Sequence, residues 1–149
     1  MSRRVWQIIC IAITVGITLF IFAHSASPAA DSSGASRGVY ATVCRIFEFF
    51  GGEFPLTHKE FRKLAHFIEF SALGFMLVMT TRSFTARVAK NLCAPLFAGL
   101  MVSVIDETIQ LYYPGRSGEV RDVLIDFSGV LFGVILALIV LRITKKKSA

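Results

Sequence analysis

His66, Glu69, Asp106, Glu107 and Asp126 are ionisable residues set inside stretches that are otherwise apolar enough to cross a membrane. A charge at hydrocarbon depth is costly unless it is paired or wetted, so position alone makes each a functional-site candidate. An imidazole beside carboxylates suits proton transfer, or a divalent metal held through nitrogen and oxygen. Against a metal, the His66-x-x-Glu69 spacing offers one histidine rather than two, and Arg62, Lys63, Arg116 and Arg121 repel a cation. The expectation is therefore no metal and no cofactor. No Ser or Cys stands in a recognisable nucleophile motif, and Ser117 in G-R-S-G reads as a turn residue. The arginines suggest a different chemistry. A guanidinium presents a planar fork that suits phosphate and carboxylate, so Arg116 and Arg121 are the expected anion contacts.

The elements that must position these groups are helices. The chain has 149 residues, 54% of them hydrophobic, and is too apolar for a soluble domain of this length. Four segments, about 5–23, 61–81, 92–112 and 122–142, approach the ~20 residues needed to span a hydrocarbon core. Strands with free edges are not viable in lipid, so the predicted fold is all-α, a single four-helix transmembrane bundle. Cys10 and Cys93 lie in or near spans and Cys44 outside them, so neither a disulfide framework nor metal-ligand spacing follows. The first apolar run is longer than a cleavable signal core, which favours an uncleaved anchor.

Charge orients the bundle. Arg3, Arg4, Arg82, Arg87, Lys90, Arg142, Lys145, Lys146 and Lys147 flank one set of span ends with no acidic residue among them. All ten acidic residues and the other seven basic ones belong to the opposite compartment or its span ends. Lys and Arg mark cytoplasmic loops, so both termini are expected inside and the polar residues in the outer leaflet. The basic residues are split among three short segments, which suits anionic lipid and argues against nucleic acid. A transporter is disfavoured because the inner halves of all four spans are apolar.

Local patterns refine the placement. Ser25 to Gly38, rich in Ser, Ala and Gly, is expected to be irregular. Val39, Val43, Ile46, Phe47, Phe50 and Phe54 then recur at helical steps, an extra amphipathic helix that either lies in the interface or packs over the bundle mouth. Thr57 and Glu60 have capping-box spacing, which predicts a helix from His58. Arg62, His66 and Glu69 share one stripe of it, with Lys63 alongside. Asp106, Gln110 and Tyr113 form the corresponding stripe of the third span, with Glu107 one position round. One of Asp106 and Glu107 is expected to bond Arg62 or Arg121 while the other faces a cavity. Asp122 and Asp126 lie one turn apart, and Gly129 and Gly133 continue their face as G-x-x-x-G, a close-packing surface. Gly74 and Gly99 have no partner motif. Four cations (Arg62, Lys63, Arg116, Arg121) thus face five carboxylates, with His66 able to supply the missing charge.

Two blocks carry a family resemblance. RKLAHFIEFSALG, at 62–74, resembles the R-K-x-x-H-x-x-E-[YF] segment of VanZ-like membrane proteins, and DETIQLYYPGRSGEVRD, at 106–122, resembles their D-E-x-x-Q…P-G-R-x-G…D block. The Ser25–Ser36 stretch is more weakly similar to a Ser/Pro-rich loop of that family. The chain departs at Asp126, where the family pattern usually has Asn. The resemblance implies a bacterial cytoplasmic-membrane protein linked to lowered susceptibility to teicoplanin-type glycopeptides, and implies no particular reaction. Joined with the residue reading, it points to a polar site engaging an amphiphilic antibiotic or a lipid-linked cell-envelope precursor. The alternative is a membrane-embedded enzyme in which His66, Glu69 and Asp106 perform acid–base or metal-assisted chemistry on a lipid head group. A purely structural lock between helices is the third reading, and the sequence leaves any membrane-protein partner open.

Overall fold

A computed structural model describes residues 2–26, 29–114, 116 and 118–147. Its described residues form five α-helices and one 3-10 turn: α1 (Arg3–Ser25), α2 (Ala29–Phe49), α3 (His58–Phe84), the turn Val88–Asn91, α4 (Cys93–Gln110) and α5 (Val120–Lys147). Four of them, α1, α3, α4 and α5 as far as Thr144, are long and apolar enough to cross a membrane. They agree with the predicted spans to within a few residues.

Helix ends follow from local chemistry. The capping box at α3 forms as the sequence predicts, with Thr57 N–H donating to Glu60 Oε2 at 2.8 Å and Glu60 N–H to Thr57 Oγ1 at 3.3 Å. Ser2 Oγ accepts from Val5 N–H at 3.3 Å and starts α1. Pro95 is tolerated because it stands in the first turn of α4, where backbone N–H groups have no acceptor within the helix.

The second helix corrects one expectation. It begins at Ala29, well before Val39, so the backbone of 29–38 is helical rather than irregular; Ser27 and Pro28 lie outside the described residues. Ala29, Ala30 and Ala35 are among the best helix formers, which offsets the interrupting Gly34 and Gly38. Tyr40 anchors the helix by donating to the Leu56 carbonyl at 2.8 Å, and its ring meets Phe54 and Phe61 edge-on. The opposite side leaves Val39, Ile46, Phe49 and Phe50 exposed. Gly51 ends the helix with φ 79°, a backbone conformation that glycine adopts without a Cβ penalty.

The bundle is organised by a small-residue seam between α3 and α5. A Cβ on Gly129 would meet the Phe67 carbonyl, one on Gly133 the Ser71 carbonyl, and one on Gly74 the backbone of Val130. The predicted G-x-x-x-G surface is therefore a site of backbone contact. Gly74, isolated in the sequence, belongs to the same seam, and Gly99, equally isolated, brings α4 against α5 by facing the Val130 side chain. Phe70, Leu73, Val78, Val130, Val134 and Ala137 close the core around it. Outward, Ile8, Phe20, Phe97, Leu124, Phe132 and Ile139 remain exposed. That is the surface expected of helices solvated by lipid, whose own backbone groups are all satisfied within the helix.

Candidate functional site

The chain runs back and forth so that α1 and α4 end, and α3 and α5 begin, at the same end of the bundle. A cavity of about 160 Å³ opens there. From α3 it is lined by Lys59, Arg62, Lys63 and His66, and from α4 by Glu107 and Gln110. Arg116 and Glu119 come from the connection, and Asp122, Ile125 and Asp126 from α5. Lys63 Nζ and Asp122 Oδ1 bridge α3 to α5 at 2.5 Å.

Below the rim the groups are buried. Asp106 is fully buried and Asp126 is 2% exposed. His66 Nδ1 lies 3.8 Å from Asp126 Oδ1 and 4.0 Å from Asp106 Oδ2, so three helices converge on one imidazole. Gln110 Nε2 ties the two acids of α4 together, donating to Asp106 Oδ2 at 3.1 Å and to Glu107 Oε1 at 2.8 Å. Glu107 Oε2 also accepts the backbone N–H of Glu119 at 3.1 Å, which fixes the connection over the cavity. The two adjacent acids do divide their roles as expected, Glu107 at the cavity wall and Asp106 beneath it. Their partners differ from the expectation: Asp106 faces His66, and Glu107 is held by an amide and a backbone N–H, rather than by Arg62 or Arg121.

The first span supplies residues that the sequence reading passed over. His24 Nδ1 lies 3.4 Å from Glu69 Oε1, and its ring stacks on His66 with centroids 5.9 Å apart and planes at 12°. Its carbonyl accepts from Arg116 Nη2 at 3.3 Å. Ser25, wholly buried, faces Asp106. Glu69 therefore reaches the site through His24 and is not part of the cavity lining.

The two arginines separate. Arg116 is half-buried at the cavity, and burial, with the like charge of Arg62 next, lowers its pKa from the ordinary guanidinium value. Arg121 is exposed and is not among the residues that line the cavity. Its position one residue before Asp122 turns it about 100° away from the Asp122–Asp126 face. Gly115 and Ser117, within the expected turn, lie outside the described residues. Without Arg121 the charge balance changes. Arg62, Lys63 and Arg116 now stand against Glu69, Asp106, Glu107, Asp122 and Asp126, while the exposed rim residues Lys59 and Glu119 offset each other.

Chemically, the upper cavity can grip an anion and the floor can hold a cation or a proton. Eight buried polar side-chain atoms among the described residues lack a hydrogen-bond partner, and all belong to this end: they come from His24, Ser25, His66, Glu69, Asp106, Arg116 and Asp126. Buried polar groups are normally satisfied, so atoms such as these call for a water, an ion or a ligand as partner.

Four membrane-length helices with a polar cavity at one end define a multi-pass membrane protein of the helical-bundle class. A family model described as VanZ/LLP1 matches residues 8–141, and the chain belongs to that family. No curated protein and no solved structure gives a significant match.

Proposed function

We propose that the cavity receives the anionic head group of a membrane amphiphile, a lipid-linked cell-envelope precursor or an amphiphilic glycopeptide, and so lowers susceptibility to teicoplanin-type antibiotics. The observation that carries this reading is Arg116. Its Nε and Nη1 are buried and have no hydrogen-bond partner among the described residues, while Nη2 is anchored on the His24 carbonyl. A guanidinium held by one corner presents its remaining donors as a fork, and its hydrogen bonds to an oxyanion are charge-assisted. Arg62 adds positive charge at the same cavity, and the apolar outer faces of the helices give a lipid tail a place to run. The charge bias of the loops supports a cavity that faces outward from the cytoplasmic membrane, with both termini in the cytoplasm.

The test is binding of an undecaprenyl-linked precursor, and separately of teicoplanin, to the protein in nanodiscs. Arg116→Lys keeps the charge and loses the fork, so affinity should fall roughly tenfold, equivalent to about 1.4 kcal/mol, with the fold intact. The protective effect of the expressed protein in cells should fall with it. Unchanged affinity and protection in that variant would overturn the head-group reading. Orientation is tested by single-cysteine labelling in a background without the native cysteines. A cysteine at Glu53 should react with an impermeant reagent added outside and one at Ser2 should not; the reverse would turn the cavity inward.

A further inference from the structure

Beneath the anion-binding rim, His66, Asp106 and Asp126 come from three separate helices and place their donor atoms within 4.8 Å of one another. Bonds of about 2.1 Å in tetrahedral geometry place ligand atoms about 3.4 Å apart, so closure on an ion requires only small side-chain shifts from the 3.8 and 4.0 Å separations at His66. Two further observations are independent of this spacing. His66 Nδ1, Asp106 Oδ1 and Asp126 Oδ2 are buried and have no hydrogen-bond partner, although Asp106 is fully buried and Asp126 nearly so. Among the described residues neither Asp106 nor Asp126 forms an ion pair with a Lys or Arg, and each faces His66 instead.

We propose that His66 Nδ1 and the carboxylates of Asp106 and Asp126 bind a divalent transition-metal ion, with one coordination side facing the cavity. The donor set selects the ion. One imidazole nitrogen with two carboxylates suits Zn²⁺, Mn²⁺ or Fe²⁺, whereas Ca²⁺ takes six to eight oxygens and Mg²⁺ prefers oxygen and water. Two aspartates neutralise the ion's charge, which answers the objection that nearby arginines repel a cation. His24 and Glu69 form a carboxylate–histidine pair stacked against His66 and hold its ring in place. His66 and Asp126 line the cavity while Asp106 closes the floor, so the ion has protein on one side and space for an oxygen ligand on the other. That is the arrangement of a reactive metal centre rather than of a purely structural one. This inference does not rest on the head-group reading, because its probe is the metal alone.

The experiment uses the full chain in nanodiscs, stripped with chelator and then dialysed against Zn²⁺, Mn²⁺ or Ca²⁺, with bound metal measured by elemental analysis. The expected result is about one Zn²⁺ or Mn²⁺ per chain and no retained Ca²⁺. Co²⁺ should give visible absorption bands of a low-symmetry nitrogen–oxygen site. Asp126→Asn and His66→Gln should each lose stoichiometric metal and the Co²⁺ bands while eluting as folded protein. His24→Gln removes the ring that stacks on His66 and should weaken binding without abolishing it. A stripped protein that takes up no stoichiometric ion, or variants that bind as tightly as the parent, would overturn the proposal. Should Asp126→Asn or His66→Gln fail to fold, metal uptake by the parent decides for or against binding, and the Co²⁺ spectrum decides whether nitrogen is among the ligands.

Discussion

The two ends of this bundle use polar residues in opposite ways. At the end where α1 begins and α3 finishes, the buried polar side-chain atoms of the described residues are hydrogen-bonded. Thr14 and Thr80 share a hydrogen bond of 2.8 Å, and Thr80 also donates to the Cys10 carbonyl at 3.2 Å. Gln7 donates to the Ser83 carbonyl at 3.1 Å and Arg3 to the Phe84 carbonyl at 2.8 Å, capping the carbonyls that α3 leaves free. At the cavity end the side chains are more strongly polar, yet several of their atoms have no partner. Hydrogen bonds that satisfy both partners fasten helices, and in membranes they contribute modestly. Partly satisfied ones, held in place by a rigid seam, cost stability and persist where they serve a ligand.

The largest expected effect tests whether the two ends are one structural unit. Gly133→Leu would place a side chain where the Ser71 carbonyl and the Phe75 backbone already press. Both are backbone groups and cannot rotate away, so α3 and α5 must separate. Overpacking costs ~1–3 kcal/mol in cores able to adjust, and this seam has no such slack. Loss of folded protein in detergent, read by size exclusion, is expected. A Gly133→Leu protein that keeps the Thr14–Thr80 end ordered while losing ligand or metal binding would show that the ends fold separately.

Much of this division was legible from residue spacing, and the parts that were not have physical causes. The capping box, the spans, the glycine surface of α5 and the convergence of His66, Asp106 and Asp126 near one level all follow from helical periodicity. Periodicity relates residues along one helix and carries no distance between helices. It therefore could not show that three donor atoms from α3, α4 and α5 meet closely enough for a metal. His24 and Ser25 close α1 without any pattern of their own, and only the packing of α1 on α3 turns them towards Glu69 and Asp106. Arg121 had the right charge and level, but lies off the face that α5 turns inward. The early start of α2 was hidden by Ser and Gly, which read as loop unless the intervening alanines are weighed.

A smaller effect, of unexpected sign, concerns Asp126. Its carboxylate faces His66 with Asp106 close by, so two acids share one small volume. Removing one of two crowded like charges relieves the repulsion between them, which favours the stripped fold. Chelator-stripped Asp126→Asn protein should therefore melt above the stripped parent. Added Zn²⁺ or Mn²⁺ should reverse the ranking, because only the parent gains stabilisation from a bound ion. A stripped variant that melts lower would mean that Asp126 is structural glue, and the contrast between the two ends would weaken.

The smallest effect belongs to the closed end. Thr80→Val conserves shape and removes both hydrogen bonds of the Thr80 hydroxyl, to Thr14 and to the Cys10 carbonyl. Thr14 keeps its own bond to the Cys10 carbonyl at 2.9 Å, so no group there is left wholly without a partner. The net value of an ordinary hydrogen bond is about 0.5–1.5 kcal/mol, and the loss should fall within that range. The variant should melt slightly lower than the parent whether or not metal is present, and should bind metal and head group unchanged. An opposite sign at the two ends, stabilising for Asp126→Asn and destabilising for Thr80→Val, is the signature of a site and a fastening built from the same helices. If Thr80→Val instead alters metal stoichiometry, the polar groups of the two ends are coupled along α1 and α3, and neither end can be read alone.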